Sequence, residues 1–424
     1  MQVKSFPITF KSLGFVWLLS VGAAHAFAAP PDRITGTVDN RRATVIPGNI
    51  SRLAQPSADR GAVDPGKQMD YIVLLFKPSA AQQAELDQLL VDQQNPSSPR
   101  FHQWLTPEEF ADQFGLSSGD QSKAVAWLHS EGFQVKHSAR GRNWVAFSGT
   151  AAQVSAALHT SIHRFDVNGE THFANTTEPS VPEALAGVVG GFLGLNDFYP
   201  KPHAVLVPDY NSSSGAHYLA PGDFETIYDI TPLYQAGFNG TGQSIAVVGE
   251  SDVLLSDLQA FRTRYGLPAN NPKMLLYDTD PGFNSADQVE ANLDLEWAGA
   301  IAPAATIYYV YGPDAITAAV AAVDYNVAPV ISISFGYCEI DFDPLFYSAI
   351  TQQANAQGIT ILSASGDTGA AGCHETEPLA TRGLSVQFPA ALPQVTGVGG
   401  TEFVESNGAY WGTTNSTAFS SALS

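Results

Sequence analysis

Residues 306–334 read TIYYVYGPDAITAAVAAVDYNVAPVISIS. Thr306 to Tyr311 is a short run of β-branched and aromatic residues, which reads as a strand. Ala315 to Asp324 is alanine-rich and reads as a helix, and Val330 to Ser334 is a second strand. The alternation extends both ways. Upstream lie a strand at Ser244 to Val248, a helix at Leu254 to Tyr265, a strand at Met274 to Tyr277 and a long helix at Ser285 to Ala302. Downstream come a helix over Pro344 to Gln357 and a strand at Thr360 to Ser363. Short apolar strands alternating with amphipathic helices predict an α/β unit whose mainly parallel sheet is covered on both faces. In such sheets, ligands and catalysis sit at the carboxyl ends of the strands.

The first half follows a different pattern. Asp70 to Phe76 reads as a strand and Ser79 to Asp92 as a helix capped by Ser79. Thr106 is a cap followed by proline at the first helical position. Ser118 to Glu131 and Thr150 to Leu158 are helical, Gln134 to Ser138 and Asn143 to Ser148 are strands, and Ile162 to Val167 with Glu170 to Ala174 makes a hairpin. This mixture predicts a small α+β unit with an antiparallel sheet over residues 68–195. Residues 29–67 show no sustained periodicity and read as an extended leader. The Pro/Ser/Gly-rich stretch 196–218 reads as a linker, and 219–424 as the parallel unit.

Met1 to Ala28 has the make-up of a cleaved secretory signal: Lys4 and Lys11, an apolar run from Leu13 to Ala24, then small residues. That run is too short for a membrane span. A secreted location, extracellular or periplasmic, is expected, and export permits a disulfide. The chain of 424 residues carries a formal charge of −21. Residues 1–202 hold 16 basic and 18 acidic groups, whereas residues 203–424 hold 4 and 23. So acidic a surface repels phosphate backbones, which argues against nucleic acid, and self-repulsion falls in acid. Two cysteines exclude a four-thiolate zinc site. They follow strands expected to be parallel neighbours, so Cys338 and Cys373 are disulfide candidates, with two buried free thiols as the alternative.

Three segments hold candidate chemistry. Glu290 and Asp294 stand at i and i+4 on a helix rich in apolar residues, so their carboxyls share a face and are expected to be buried. A coupled buried pair titrates in separated steps and can act as a base in acid; a solvated acidic face is the bland alternative. Asp367 lies between Gly366 and Gly369 just past a strand, in either a functional loop or an ordinary turn. Ser332 and Ser334 leave a central strand, where a hydroxyl commonly bonds neighbouring backbone. The sequence contains no H-E-x-x-H, C-x-x-C, G-x-x-x-x-G-K-[ST] or G-x-S-x-G. His203, His217 and His374 are the histidines beyond residue 202, and none has the context of a histidine-based triad.

Together these segments resemble the sedolisin (serine-carboxyl peptidase, kumamolisin-like) family. The stretches that carry the resemblance are EANLDLEWAGAIAP (290–303), VISISFG (330–336), SASGDTGAAGC (363–373) and FPAALPQVTGVGGT (388–401), with NPSSPRFHQWLTPEEF (95–110) resembling that family's activation prodomain. The resemblance covers residues 68–420. It implies a subtilisin-like fold in which Glu290 is the base, Asp294 orients it, and Asp367 is an oxyanion-site acid that donates a hydrogen bond when protonated. Glu250, at the end of the first strand of the parallel unit, is a weaker member of the network.

The family's nucleophile lies in a later Gly-Thr-Ser segment and its calcium loop later still, and Gly-Thr-Ser does not occur in this sequence. The resemblance therefore implies a C-terminally truncated chain with an incomplete catalytic domain, inactive alone and without the calcium ligands. Ser416, Ser420 and Ser421 fall in a polar tail. The expected function is a secreted, acid-acting endopeptidase precursor that hydrolyses polypeptides, with its own prodomain as inhibitor and chaperone. The alternatives are a non-catalytic binding or inhibitory remnant and a periplasmic ligand-binding protein.

Overall fold

The computed structural model describes residues 29–199, 201–202, 219–341, 344–374, 381–401, 403 and 410. The expected signal, the interior of the linker and the tail serines lie outside them. In chain order the first unit comprises β1 (Ala43–Val45), β2 (Asp59–Ala62), β3 (Gln68–Phe76), α1 (Ala80–Gln94), α2 (Pro107–Phe114), α3 (Ser118–Ser130), β4 (Gln134–Ser138), β5 (Trp144–Thr150), α4 (Ala151–Leu158), β6 (Ile162–Val167), β7 (Glu170–Asn175), β8 (Ser180–Pro182), α5 (Glu183–Ala186) and β9 (Val189–Leu193). A connecting strand, β10 (Lys201–Pro202), follows. The second unit holds α6 (Pro221–Ile227), α7 (Thr231–Gln235), β11 (Ser244–Gly249), α8 (Leu255–Arg264), β12 (Lys273–Leu276), α9 (Ser285–Ile301), β13 (Thr306–Tyr311), α10 (Ala315–Asp324), β14 (Val330–Ile333), β15 (Phe335–Cys338), α11 (Leu345–Ala356), β16 (Thr360–Ala364), β17 (Gln387–Phe388) and β18 (Thr396–Val398).

The second unit is built on a parallel sheet in the order β12-β13-β11-β14-β16-β18. Period-two alternation on β11 buries Ala246 and Val248 against one face and Val247 against the other. The first face is covered by α10 and α11, the second by α8 and α9. Helix α10 is buried along its whole length, from Ala315 to Asp324. A helix apolar on every side needs cover on every side. The parallel sheet covers one side and the first unit the other.

That cover is the antiparallel sheet β4-β5-β3-β9. Ile72, Leu74 and Phe76 of β3, with Val145 and Phe147 of β5, face the first unit's own core. Val73, Leu75, Trp144 and Ala146 face the other way, into a core shared with α10 and α11. Each large apolar side chain so buried contributes about 1.5–3 kcal/mol. The first unit also satisfies the carboxyl ends of both helices, where carbonyls lack intrahelical donors. The Ala356 carbonyl accepts from the Gln93 side chain at 3.0 Å and the Leu105 N–H at 2.9 Å. The Asp324 carbonyl accepts from the Arg140 guanidinium at 3.3 Å, and the carboxylate of the same residue, 1% exposed, accepts from His137 Nε2 at 3.0 Å and the Arg140 N–H at 2.8 Å. Gly358, just past α11 at φ +75°, lies so close to the Trp104 ring that an added Cβ would come within 2.5 Å of it.

Two expected boundaries look different in three dimensions. Residues 29–67, read as an extended leader, are folded into the first unit: β1 pairs with β8, β2 with β6, and Ile34, Ile46 and Val63 join its core. Those contacts join residues more than 100 positions apart, which local periodicity cannot reveal. Residues 196–199, read as the start of the linker, still bind the first unit, since Asp197 accepts the Phe173 N–H at 2.7 Å. Cys338 and Cys373 form a disulfide with a Cα separation of 4.7 Å. No helix among the described residues is long and apolar enough to cross a membrane.

Candidate active site

Helix α9 carries both carboxyls of the candidate pair. Its inner face packs Ala291 and Leu295 against Val247, Ile307 and Tyr309, and Glu290 and Asp294, each next to one of these two residues, border that face. Glu290 is 3% exposed. Asp294 is half-buried as a residue, but its Oδ2 is shut off from solvent. Its Oδ1 accepts a hydrogen bond from the Ser334 hydroxyl at 2.8 Å. Burial first, then the charge of Glu290, pushes the Asp294 carboxyl up to about 8, and the Ser334 hydrogen bond opposes both. The solvated-face alternative fails for this pair. Leu293, by contrast, is exposed, so the helix is not buried all round.

The parallel sheet brings the other candidates to the same edge. Val247 of β11 pairs with Ser332 of β14, so Glu250 and Ser334 both emerge just beyond the carboxyl ends of adjacent strands. Strand β16 flanks β14 on its other side, about 4.8 Å away, and leads into Asp367. Gly366 takes φ +99°, and a Cβ there would meet Gln387 at 2.5 Å, which explains the glycine before Asp367. Asp367 itself is exposed, and no hydrogen bond among the described residues joins it to Asp294.

Glu250 accepts the Ala315 N–H at 3.0 Å at the start of α10. Burial pushes it up to about 8, the Ala315 bond opposing and Asp314 and Asp287 adding to the rise. Asp287 and Asp314 were not singled out from the sequence, and burial raises both. The spacing 287–290–294 on one helix was the available signal for Asp287; Asp314 is hidden as the N-cap of α10, bonded to Thr317. Ser334, for which a bond to neighbouring backbone was the bland alternative, bonds Asp294. Among the described residues no group of three or more His, Cys, Asp or Glu side chains could hold a metal ion.

A buried carboxyl pair at the carboxyl edge of a parallel sheet can take and return a proton in acid. Residues 55–198 match the family described as pro-kumamolisin, activation domain. Sedolisin from Pseudomonas sp. (strain 101) is 30% identical over 418 residues, spanning 92% of this chain and 69% of the relative. Xanthomonalisin from Xanthomonas sp. (strain T-22) is 28% identical over 442 residues, spanning 91% of this chain and 52% of the relative. A solved structure of Pseudomonas sedolisin, a serine-carboxyl proteinase complexed with two molecules of pseudo-iodotyrostatin, is 25% identical over 48% of this chain and 61% of its own, with a TM-score of 0.38. With a relative at 30% identity across nine-tenths of its length and an activation-domain match before its parallel unit, the chain belongs to the sedolisin family of serine-carboxyl peptidases.

Proposed function

We propose that the protein is the precursor of a secreted, acid-acting endopeptidase whose first unit is its activation prodomain. The observation that carries this reading is the Glu290–Asp294 pair, buried one helical turn apart and bonded to the strand end at Ser334. Glu290 takes the proton of an attacking serine hydroxyl as its oxygen bonds to the scissile carbonyl carbon. Asp294 holds Glu290 in place, and the carboxylic-acid form of Asp367 is the donor to the oxyanion. Glu290 then gives the proton to the leaving amine, and water cleaves the acyl-enzyme by the same steps in reverse order.

The connecting segment supports self-inhibition. Lys201 and Pro202 lie antiparallel to Gly336 and Phe335 of β15, immediately after Ser334, as an extended peptide would. A prodomain docked on α10 and α11 thus delivers its own chain to the strand beside the carboxyl pair.

The test compares this chain with a fusion bearing the Gly-Thr-Ser portion of the Pseudomonas relative, both assayed for proteolysis at pH 4. The fusion should be active, and Glu290→Ala should lower kcat at least 100-fold. Activity of the 424-residue chain that Glu290→Ala abolishes would place the nucleophile among its own serines. Activity of the fusion that is indifferent to Glu290 would sink the assignment of the base.

A further inference from the structure

Ser334 is the residue that ties the carboxyl pair to the sheet. It sits between β14 and β15, where the chain leaves the parallel sheet, and its hydroxyl donates to Asp294 Oδ1 at 2.8 Å. The other oxygen, Oδ2, is closed to solvent and has no hydrogen-bond partner among the described residues. The groups that face this carboxyl include Glu290 on its own helix, Ser334 from the junction of β14 and β15, and the Tyr309 hydroxyl from β13, which feels both Asp294 and Glu250. Tyr309 is already committed as a donor to the Ser251 carbonyl at 2.7 Å.

We infer that Ser334 is a positioning residue, fixing the plane of the Asp294 carboxyl and reserving Oδ2 as the atom that carries its proton. With the serine hydrogen on Oδ1, a proton arriving there would meet another donor; on Oδ2 it meets none. A carboxyl anchored on one oxygen cannot flip, so Glu290 faces a single arrangement of charge and proton through each protonation cycle. The consequence for catalysis rests on the peptidase reading; the geometry and its test do not.

The test is isotope-edited infrared titration of the full chain grown with carboxyl-labelled aspartate, the Asp294 band being identified by its loss in Asp294→Asn. A hydroxyl donor favours the ionised carboxylate, so Ser334→Ala should move this titration upward by about one pH unit, a tenfold gain in proton affinity. Ser334→Thr keeps the donor and should match the parent chain, and Ser334→Cys, a weaker donor of similar size, should fall between. Should Ser334→Ala fail to fold, the cysteine and threonine variants decide: equal titrations overturn the inference. So does an unmoved titration in folded Ser334→Ala, or a threonine variant displaced as far as the alanine. These shifts in a chain whose Gly-Thr-Ser fusion is inactive would count against the peptidase reading alone, whereas their absence in an active fusion would count against Ser334 alone.

Discussion

Asp294 and Glu250 both hold their protons to about pH 8 in the folded chain, against ordinary carboxyl values near 4 in the unfolded one. Between those limits the folded state binds protons that the unfolded state has released. Stability therefore falls as pH rises from about 4 to about 8, and levels off above. Asp287, Asp314 and Glu296 are raised by burial and act in the same direction. Glu108, held low by Arg140, acts oppositely: its contribution is present above the usual carboxylate value and lost as pH falls through its lowered one. It is largely exposed, so its effect is small. Urea midpoints from pH 3 to 9 should thus peak in mild acid, with Asp294→Asn flattening the fall toward neutrality. A midpoint that climbs steadily from pH 4 to 8 would contradict this balance. This pH dependence of stability is a property of the resting fold and is measurable without substrate.

At the scale of elements, local sequence rules carry most of the weight. Thr106 accepts the Glu109 N–H and the Glu109 carboxylate accepts the Thr106 N–H, a capping box that starts α2 at Pro107. Thr106→Ala should lower stability by about 1 kcal/mol in urea denaturation. The disulfide links the end of β15 to the loop after β16 across a sequence separation of 35. Replacing both cysteines by alanine should lose roughly 3–4 kcal/mol by the chain-entropy estimate. A loss confined to a few tenths would mean that the loop is held by other contacts, such as the Glu339 carboxylate accepting the Val386 N–H at 2.8 Å.

For the whole molecule the decisive contact is the docking of the first unit on α10 and α11. Asp324 gathers donors from His137, Arg140 and Gly141 while itself buried. Lys136 adds an ion pair with Asp278 at 2.9 Å. The uneven charge of the two halves thus finds an outlet at this seam. Removing the buried acceptor strands several donors, so Asp324→Ala should weaken docking by about 3 kcal/mol. Amide exchange should report this as at least 100-fold faster exchange at Arg140 and Gly141, with Asp324→Asn less affected because it keeps an acceptor. Unchanged exchange at both amides would show that apolar packing alone holds the units together.

The alternation of apolar strands with helices was enough to foresee the parallel sheet, because strand and helix periods are local properties of consecutive residues. The i, i+4 spacing of Glu290 and Asp294 set them on one helical face for the same reason, and the glycine before Asp367 marked its tight loop. Sequence alone also held an unread signal in α10, whose apolar surround demands a second covering layer. What covers it, the face of β3 and β5 bearing Val73, Leu75, Trp144 and Ala146, was decided by tertiary structure. So were the packing of residues 29–67 into the first unit, the burial of Glu250 and Asp314, and the bond from Ser334 to Asp294 across 40 positions. The physical reason is common to all of them: desolvation and long-range hydrogen bonding depend on which surfaces meet, and a one-dimensional pattern states which faces are apolar without stating what they meet.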